Sequence, residues 1–289
     1  GQAQRKYKYE PLATGFIHVP PPDTYRLEEG EGDLLRSVKY IDDAMTWELS
    51  ETIAAMIMEP IITGGGILTP PENYLKQVKD VCEKHGALLI IDEVICGFGR
   101  TGKPFGFMNY GVKPDIITMA KGITSAYMPL AATAVKKEIY EAFKGTEEYD
   151  YFRHVNTFGG SPASCAVALR NLEIMEQEKL AERSAEKGTL LLEKLRNRIS
   201  GHSNVGDVRG KGLLIGIELV SDKQTKDPLD VVSLNKVIAY CKNNGLLIGK
   251  NGATVAGFNN VLALAPPLTI SDEDLQFIVE TVAEGINSL

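Results

Sequence analysis

Three ionisable residues far apart in the chain occupy positions where chemistry can be done: Glu59 before Pro60, Asp92 after the apolar run Leu88-Leu89-Ile90-Ile91, and Lys121 after Ile116-Ile117-Thr118-Met119-Ala120. A lysine at the mouth of a buried strand loses its proton more readily through desolvation, and a neutral amine forms an imine with an aldehyde. Taken alone, Lys121 fits a strand-end lysine reaching solvent better. A carboxylate such as Asp92 is costly to bury unless it meets a cation or donors. Beside a pyridine nitrogen it would hold that nitrogen protonated and make the ring an electron sink; a helix-capping or salt-bridged aspartate is the other reading. Glu59 carries the same two readings.

Apolar periodicity and Gly/Pro punctuation set the elements that must position these groups. Phe16 to Val19 reads as a short strand, and Leu34, Val38, Ile41, Met45 and Leu49 predict a helix over 33–49. The apolar run 52–58 ends at Glu59-Pro60, a Gly64-Gly65-Gly66 loop follows, and a helix is predicted from about Pro71 to Lys84 with Leu75, Val78 and Val81 on one face. Strands are predicted over 87–91 and 115–119. Uninterrupted apolar strands alternating with helices imply a mainly parallel sheet with helices on both faces. Ligands gather beyond the carboxyl ends of such strands, so Glu59, Asp92 and Lys121 are expected to converge on one crevice. Residues 161–200 predict one long or two abutting helices, with Gly188 as the break. Beyond Gly201, strands over 205–208, 213–220, 246–248 and 260–264, a helix over 231–243 and a last helix from Ser271 predict a smaller α+β domain. The expected division is 1–187 and 188–289, inside the helical stretch near Lys187.

Hydrophobic residues make up 44% of the 289 and charged residues 24%, which excludes a disordered or collagenous chain. The net charge of -7, with no long basic run, argues against a nucleic-acid partner. No apolar stretch approaches the roughly 18 residues of a membrane span. The four cysteines are far apart, with no C-x-x-C pair and no histidine at ligand spacing, so free thiols in the cytoplasm and no metal site are expected.

The motifs are more specific together than apart. Glu59-Pro60, Asp92-Glu93-Val94, Gly97-Phe98-Gly99-Arg100-Thr101-Gly102, Lys121, Thr157-Phe158-Gly159-Gly160, Val208-Arg209-Gly210-Lys211-Gly212 and Ala265-Pro266-Pro267-Leu268, in this order, resemble the class III aminotransferases, the ω-transaminase branch of the fold-type I pyridoxal phosphate enzymes. The resemblance covers essentially the whole chain. It implies an α/β large domain of fold-type I with a small α+β C-terminal domain, and pyridoxal 5'-phosphate as cofactor. It implies Lys121 as the Schiff-base lysine, Asp92 as partner of the pyridinium nitrogen, Val94 on the ring face, and Ile95 and Glu59 lining the cofactor. Thr157 would reach across a homodimer, or a tetramer built from it, to the partner's cofactor phosphate; by itself it reads as a loop threonine satisfying nearby backbone. The implied reaction is a ping-pong transfer from an ω-amino acid or amine, such as taurine or β-alanine, to pyruvate.

Departures from the family pattern sharpen the expectation. Ile95 stands where many members carry Gln, and Ala263 stands where members using dicarboxylates often carry Arg, which favours pyruvate over 2-oxoglutarate. Lys250 supplies a candidate cation for a substrate carboxylate or is a surface lysine, and Arg209 is a second candidate substrate ligand. Gly1-Gln2-Ala3-Gln4 resembles the middle of the family's large domain. The expectation is therefore the C-terminal part of a larger protein, with an exposed sheet edge and without the family's phosphate loop and ring-stacking aromatic. A truncated or noncatalytic fragment needing a complementing N-terminal piece is one alternative. A biotin-pathway 8-amino-7-oxononanoate aminotransferase is another, and an aminomutase or decarboxylase would keep the cofactor and change the outcome.

Overall fold

The computed structural model describes residues 6–26, 34–252 and 259–289. Its first sheet has four strands, β1 (Ala55–Met58), β2 (Leu88–Asp92), β3 (Ile116–Met119) and β4 (Ala132–Val135), in that spatial order. β1, β2 and β3 are parallel and β4 runs antiparallel to β3 at one edge. The alternation in β2 buries Leu89 and Ile91 completely on one face. Helix Tyr74–Lys84 covers that face with Tyr74, Leu75, Val78 and Cys82, and helix Leu34–Trp47 adds Val38, Ile41 and Met45. Both helices carry their apolar residues three or four apart, so the stripe of Tyr74–Lys84 meets the sheet and that of Leu34–Trp47 packs into the same core against this helix. β4 escaped the sequence reading because its short Ala-Thr-Ala-Val run is largely exposed and lacks a buried-strand signature. Phe16 to Val19, expected as a strand, has no ladder partner among the described residues, and Phe16 and Ile17 face solvent.

One carboxylate aligns this sheet. Asp115 Oδ2 accepts the Leu89 N–H of β2 at 2.8 Å and the Lys79 ammonium at 2.7 Å, while Oδ1 meets Lys136 at 2.6 Å. Burial opposes its ionisation, but the two ammonium groups and the N–H outweigh burial and hold its carboxyl down at about 2, against an ordinary 3.8. The folded state therefore binds this proton more weakly than the unfolded chain. The anion's contribution to stability is complete above 3.8 and is lost as pH falls towards 2. Asp115→Asn is expected to flatten the loss of stability across that window, as read by urea denaturation at a series of pH values; an unchanged slope contradicts it.

The second sheet is antiparallel. Its strands are β5 (Val205–Lys211), β6 (Leu214–Leu219), β7 (Gly249–Asn251) and β8 (Val261–Leu264), in the order β5-β6-β8-β7. Helices Leu180–Ile199, Val231–Asn243 and Asp272–Asn287 enclose a core with it around Leu191, Ile215, Ile217, Leu234, Leu275 and Val282. The strand expected over 246–248 begins only at Gly249, because the β8 ladder pairs with 249–251; Leu247 is exposed. The long helical stretch breaks at Lys179 (φ 50°), between helices Pro162–Gln177 and Leu180–Ile199, and not at Gly188. Gly188 lies inside the second helix, where an added Cβ would come within 2.1 Å of the Gly212 backbone. Its value is close approach and not helix breaking. Among the described residues, no helix is long and apolar enough to cross a membrane.

Candidate active site

Strand register brings the three groups to one edge. Met58 pairs with Ile91, and Asp92 pairs with Thr118, so Glu59, Asp92 and the segment leading to Lys121 leave three adjacent parallel strands at their carboxyl ends. Glu59 Oε2 accepts the Thr63 N–H at 3.1 Å and the Thr63 hydroxyl. Burial pushes the Glu59 carboxyl up; the Thr63 bonds pull it back, and neighbouring Asp92 and Lys121 act in opposite directions, leaving it above the ordinary range. Glu59 is thus a desolvated carboxyl beside a second carboxylate and a lysine.

Asp92 and Glu93 separate their roles because successive side chains point to opposite sides. Asp92 stays half-buried at the crevice, with Oδ1 accepting the Val94 N–H at 3.0 Å. Glu93 is fully buried and accepts the Gly106 and Phe107 N–H groups, each at 2.8 Å, which anchors the loop after the Gly97 to Gly102 motif. Burial pushes the Glu93 carboxyl up against those two donors.

Lys121 opens a single 3-10 turn, Lys121–Ile123, with a left-handed backbone (φ 47°) that a non-glycine residue adopts only when its surroundings impose it. The imposing residue is Asn171, from helix Pro162–Gln177, whose Nδ2 donates to Gly122 O at 2.8 Å and Ile123 O at 3.2 Å. Gly122 is required because a Cβ would come 2.8 Å from Phe98 Cβ. Among the described residues, no hydrogen bond or ion pair engages Lys121 Nζ or Asp92 Oδ2. An unengaged amine and an unengaged carboxylate oxygen at one strand edge suit a ligand that carries an aldehyde and a basic ring nitrogen.

The other expected residues are placed as follows. Val94 is half-buried next to Asp92, and Ile95 is 37% exposed. Thr157 lies on an exposed turn. Lys250 is exposed and donates to Asn235 Oδ1 at 2.9 Å. Arg209, expected to touch substrate, is turned inward: it is 6% exposed and meets Asp207, Glu218 and two backbone carbonyls. Thr63, Glu93 and Asn171 were missed as site-forming residues. No motif marks Thr63 or Asn171, and Glu93 stands in the Asp92-Glu93-Val94 motif without a role given to it, since each acts through a contact that only the folded backbone creates.

The family model "Aminotransferase class-III" matches residues 1–286. The chain is 66% identical over 289 residues to the uncharacterized aminotransferase YhxA of Bacillus subtilis (strain 168), covering 100% of this chain and 64% of that one. It is 40% identical over 293 residues to the taurine–pyruvate aminotransferase of Bilophila wadsworthia, with the same coverage. An amine transaminase from an uncultivated Pseudomonas species, solved in its PLP-bound (internal aldimine) form, superposes with a TM-score of 0.93 at 34% identity, over 100% of this chain and 65% of that one. The chain spans about 64% of the length of the curated relatives it matches.

Proposed function

The chain belongs to the class III aminotransferase family, and from that premise we propose that the whole protein transfers an amino group from an ω-amino acid or amine, taurine and β-alanine among them, to pyruvate. Its fold is that of the fold-type I PLP-dependent transferases. The observation that carries the reading is the placement of Asp92 and Lys121, with Oδ2 and Nζ unengaged among the described residues, at the carboxyl ends of adjacent parallel strands and both acting on Glu59. Pyridoxal phosphate, when bound there, supplies an aldehyde that condenses with amines and a ring that withdraws electrons. Asp92 Oδ2 would hold the proton on the ring nitrogen, and Val94 would face the ring. With the cofactor bound, the Lys121 amine would move a proton between the carbon that bears the donor amine and the cofactor carbon, as base and then acid within each half of the transfer. The free thiols of Cys82, Cys96, Cys165 and Cys241 suit the cytoplasm.

Ala263 supports pyruvate as the acceptor. This residue packs against Ile61, Ile67, Cys96 and Leu214, so at Ala263 the described residues present an apolar contact where an arginine would offer a cation to the second carboxylate of a dicarboxylic keto acid. Pyruvate is expected to exceed 2-oxoglutarate by at least about 100-fold in kcat/KM, equivalent to about 2.7 kcal/mol. Comparable values for the two acceptors contradict this reading of Ala263.

The protein acts as a homodimer at least. Val155 is 85% exposed and Phe158 87%, and with Tyr149, Tyr151 and Phe152 they leave an apolar strip on the surface that carries Thr157. A second copy covering this strip would bring Thr157 to the partner's phosphate site. Phe158→Asp is expected to halve the mass seen by light scattering and to weaken cofactor retention; an unchanged mass contradicts this strip as the dimer interface, and a monomeric mass of the unsubstituted protein contradicts the dimer.

The test of the function is a donor panel with the whole protein. Taurine or β-alanine should bleach the bound cofactor's absorbance, pyruvate should restore it, and alanine should accumulate. Transfer only to 8-amino-7-oxononanoate, or an isomerised or carboxyl-free product, would replace the reading; no absorbance cycle with any donor would end it.

A further inference from the structure

The most constrained backbone near the site lies in residues 63–67. Ile67 is 1% exposed and left-handed (φ 54°), a conformation that a β-branched side chain adopts only under outside constraint. Several contacts supply that constraint. Arg209 Nη2 donates to Gly66 O at 2.6 Å, and its Nε donates to Gly66 O at 3.2 Å and Ile67 O at 3.1 Å. Gly216 of β6 admits the Ile67 side chain, since a Cβ there would come 2.9 Å from Ile67 Cβ. Asn251 Nδ2 approaches Thr63 O at 3.4 Å, and the same carbonyl accepts the Gly66 and Ile67 N–H groups. The far side of the guanidinium is itself fixed, because Nη1 meets Asp207 Oδ2 at 2.9 Å and fully buried Glu218 Oε2 at 2.8 Å. The second sheet thus grips the loop whose first residue, Thr63, supplies both donors to Glu59.

We propose that Arg209 is a positioning residue of the active site: through the Gly66 and Ile67 carbonyls it holds Thr63 against Glu59, and so sets the charge state of Glu59 beside Asp92 and Lys121. This rests on the reading of those three residues as one site. The groups facing Glu59 are Asp92 from the end of β2, Lys121 from the turn after β3, and Cys96 from the turn between them, with Glu93 anchored behind that turn. Both Thr63 bonds favour the ionised carboxylate. Loosening them raises the proton affinity of Glu59, removes negative charge from the site, and makes any protonated group bound near Lys121 more acidic.

The experiment titrates the absorbance of pyridoxal phosphate bound to the whole protein. Thr63→Val and Arg209→Lys are expected to lower its pH midpoint by roughly half a unit, about a threefold change in proton affinity. Lysine keeps a charge for Glu218 but lacks the fork that reaches two carbonyls. Asp207→Asn, at the half-exposed end of the clamp, should give a smaller shift in the same direction and covers the case in which Arg209→Lys does not fold. In a Glu59→Gln background, all three shifts should disappear. A lowered melting temperature with an unmoved midpoint would make Arg209 purely structural and overturn the proposal, as would shifts that survive Glu59→Gln. Absence of any cofactor band in the unsubstituted protein would instead count against the aminotransferase reading.

Discussion

Lys121→Ala is expected to lower the rate of amino transfer by at least about 10,000-fold, the upper range for losing a positioned acid and base. Among the described residues, nothing nearby replaces it. Glu59 and Asp92 are the other ionisable groups at the strand edge; Asp92 is assigned to the ring nitrogen, and Glu59 is tied to Thr63. The fold should survive, because the Lys121 side chain is exposed and makes no ion pair among the described residues, while Asn171 holds the turn through backbone carbonyls that alanine retains. The measurement is single-turnover transfer from a donor amine, paired with thermal unfolding. A rate within tenfold of the unsubstituted protein, with normal unfolding, would remove Lys121 from the chemistry. Partial recovery on adding a small primary amine would locate the loss at Nζ.

Asp92→Asn is expected to reduce kcat/KM by roughly 100- to 10,000-fold, or about 3 to 5 kcal/mol of transition-state stabilisation. Asparagine retains the shape and an oxygen for the Val94 N–H, so the change removes a charge and little else. Its second consequence has a definite sign. Asp92 pushes the Glu59 carboxyl up, so in the variant Glu59 gives up its proton at lower pH. Whatever part of the acid limb of the pH profile reports Glu59 ionisation should move to lower pH in the residual activity. A limb that stays in place would mean that Glu59 does not govern it; a variant with full activity would separate Asp92 from the ring nitrogen.

The parallel strands were legible because each is a short uninterrupted apolar run ending in a charged residue, and Leu88 to Ile91 before Asp92 is the clearest. Chain direction then placed Glu59, Asp92 and Lys121 at the same end. The strand β4 was not legible, since its Ala-Thr-Ala-Val residues are exposed at an edge and stabilised by pairing with β3 more than by burial. Gly188 was read as a helix break from its intrinsic propensity, yet contact with Gly212 explains it better. Local preference and tertiary packing give the same residue different meanings.

By itself, the sequence determined which groups meet at the strand ends and what chemistry their types allow, because apolar periodicity and motif order are local properties of the chain. Only the tertiary structure decided which way each group faces and what holds it there. Asp92 remains at the crevice while its neighbour Glu93 is consumed by the Gly106 and Phe107 N–H groups. Arg209, expected at the substrate, is drawn inward by buried Glu218 and the carbonyls of a constrained loop. The physical reason is common to both: a buried charge must find its partners, and those partners come from strands and loops distant in sequence that only packing brings within hydrogen-bond distance.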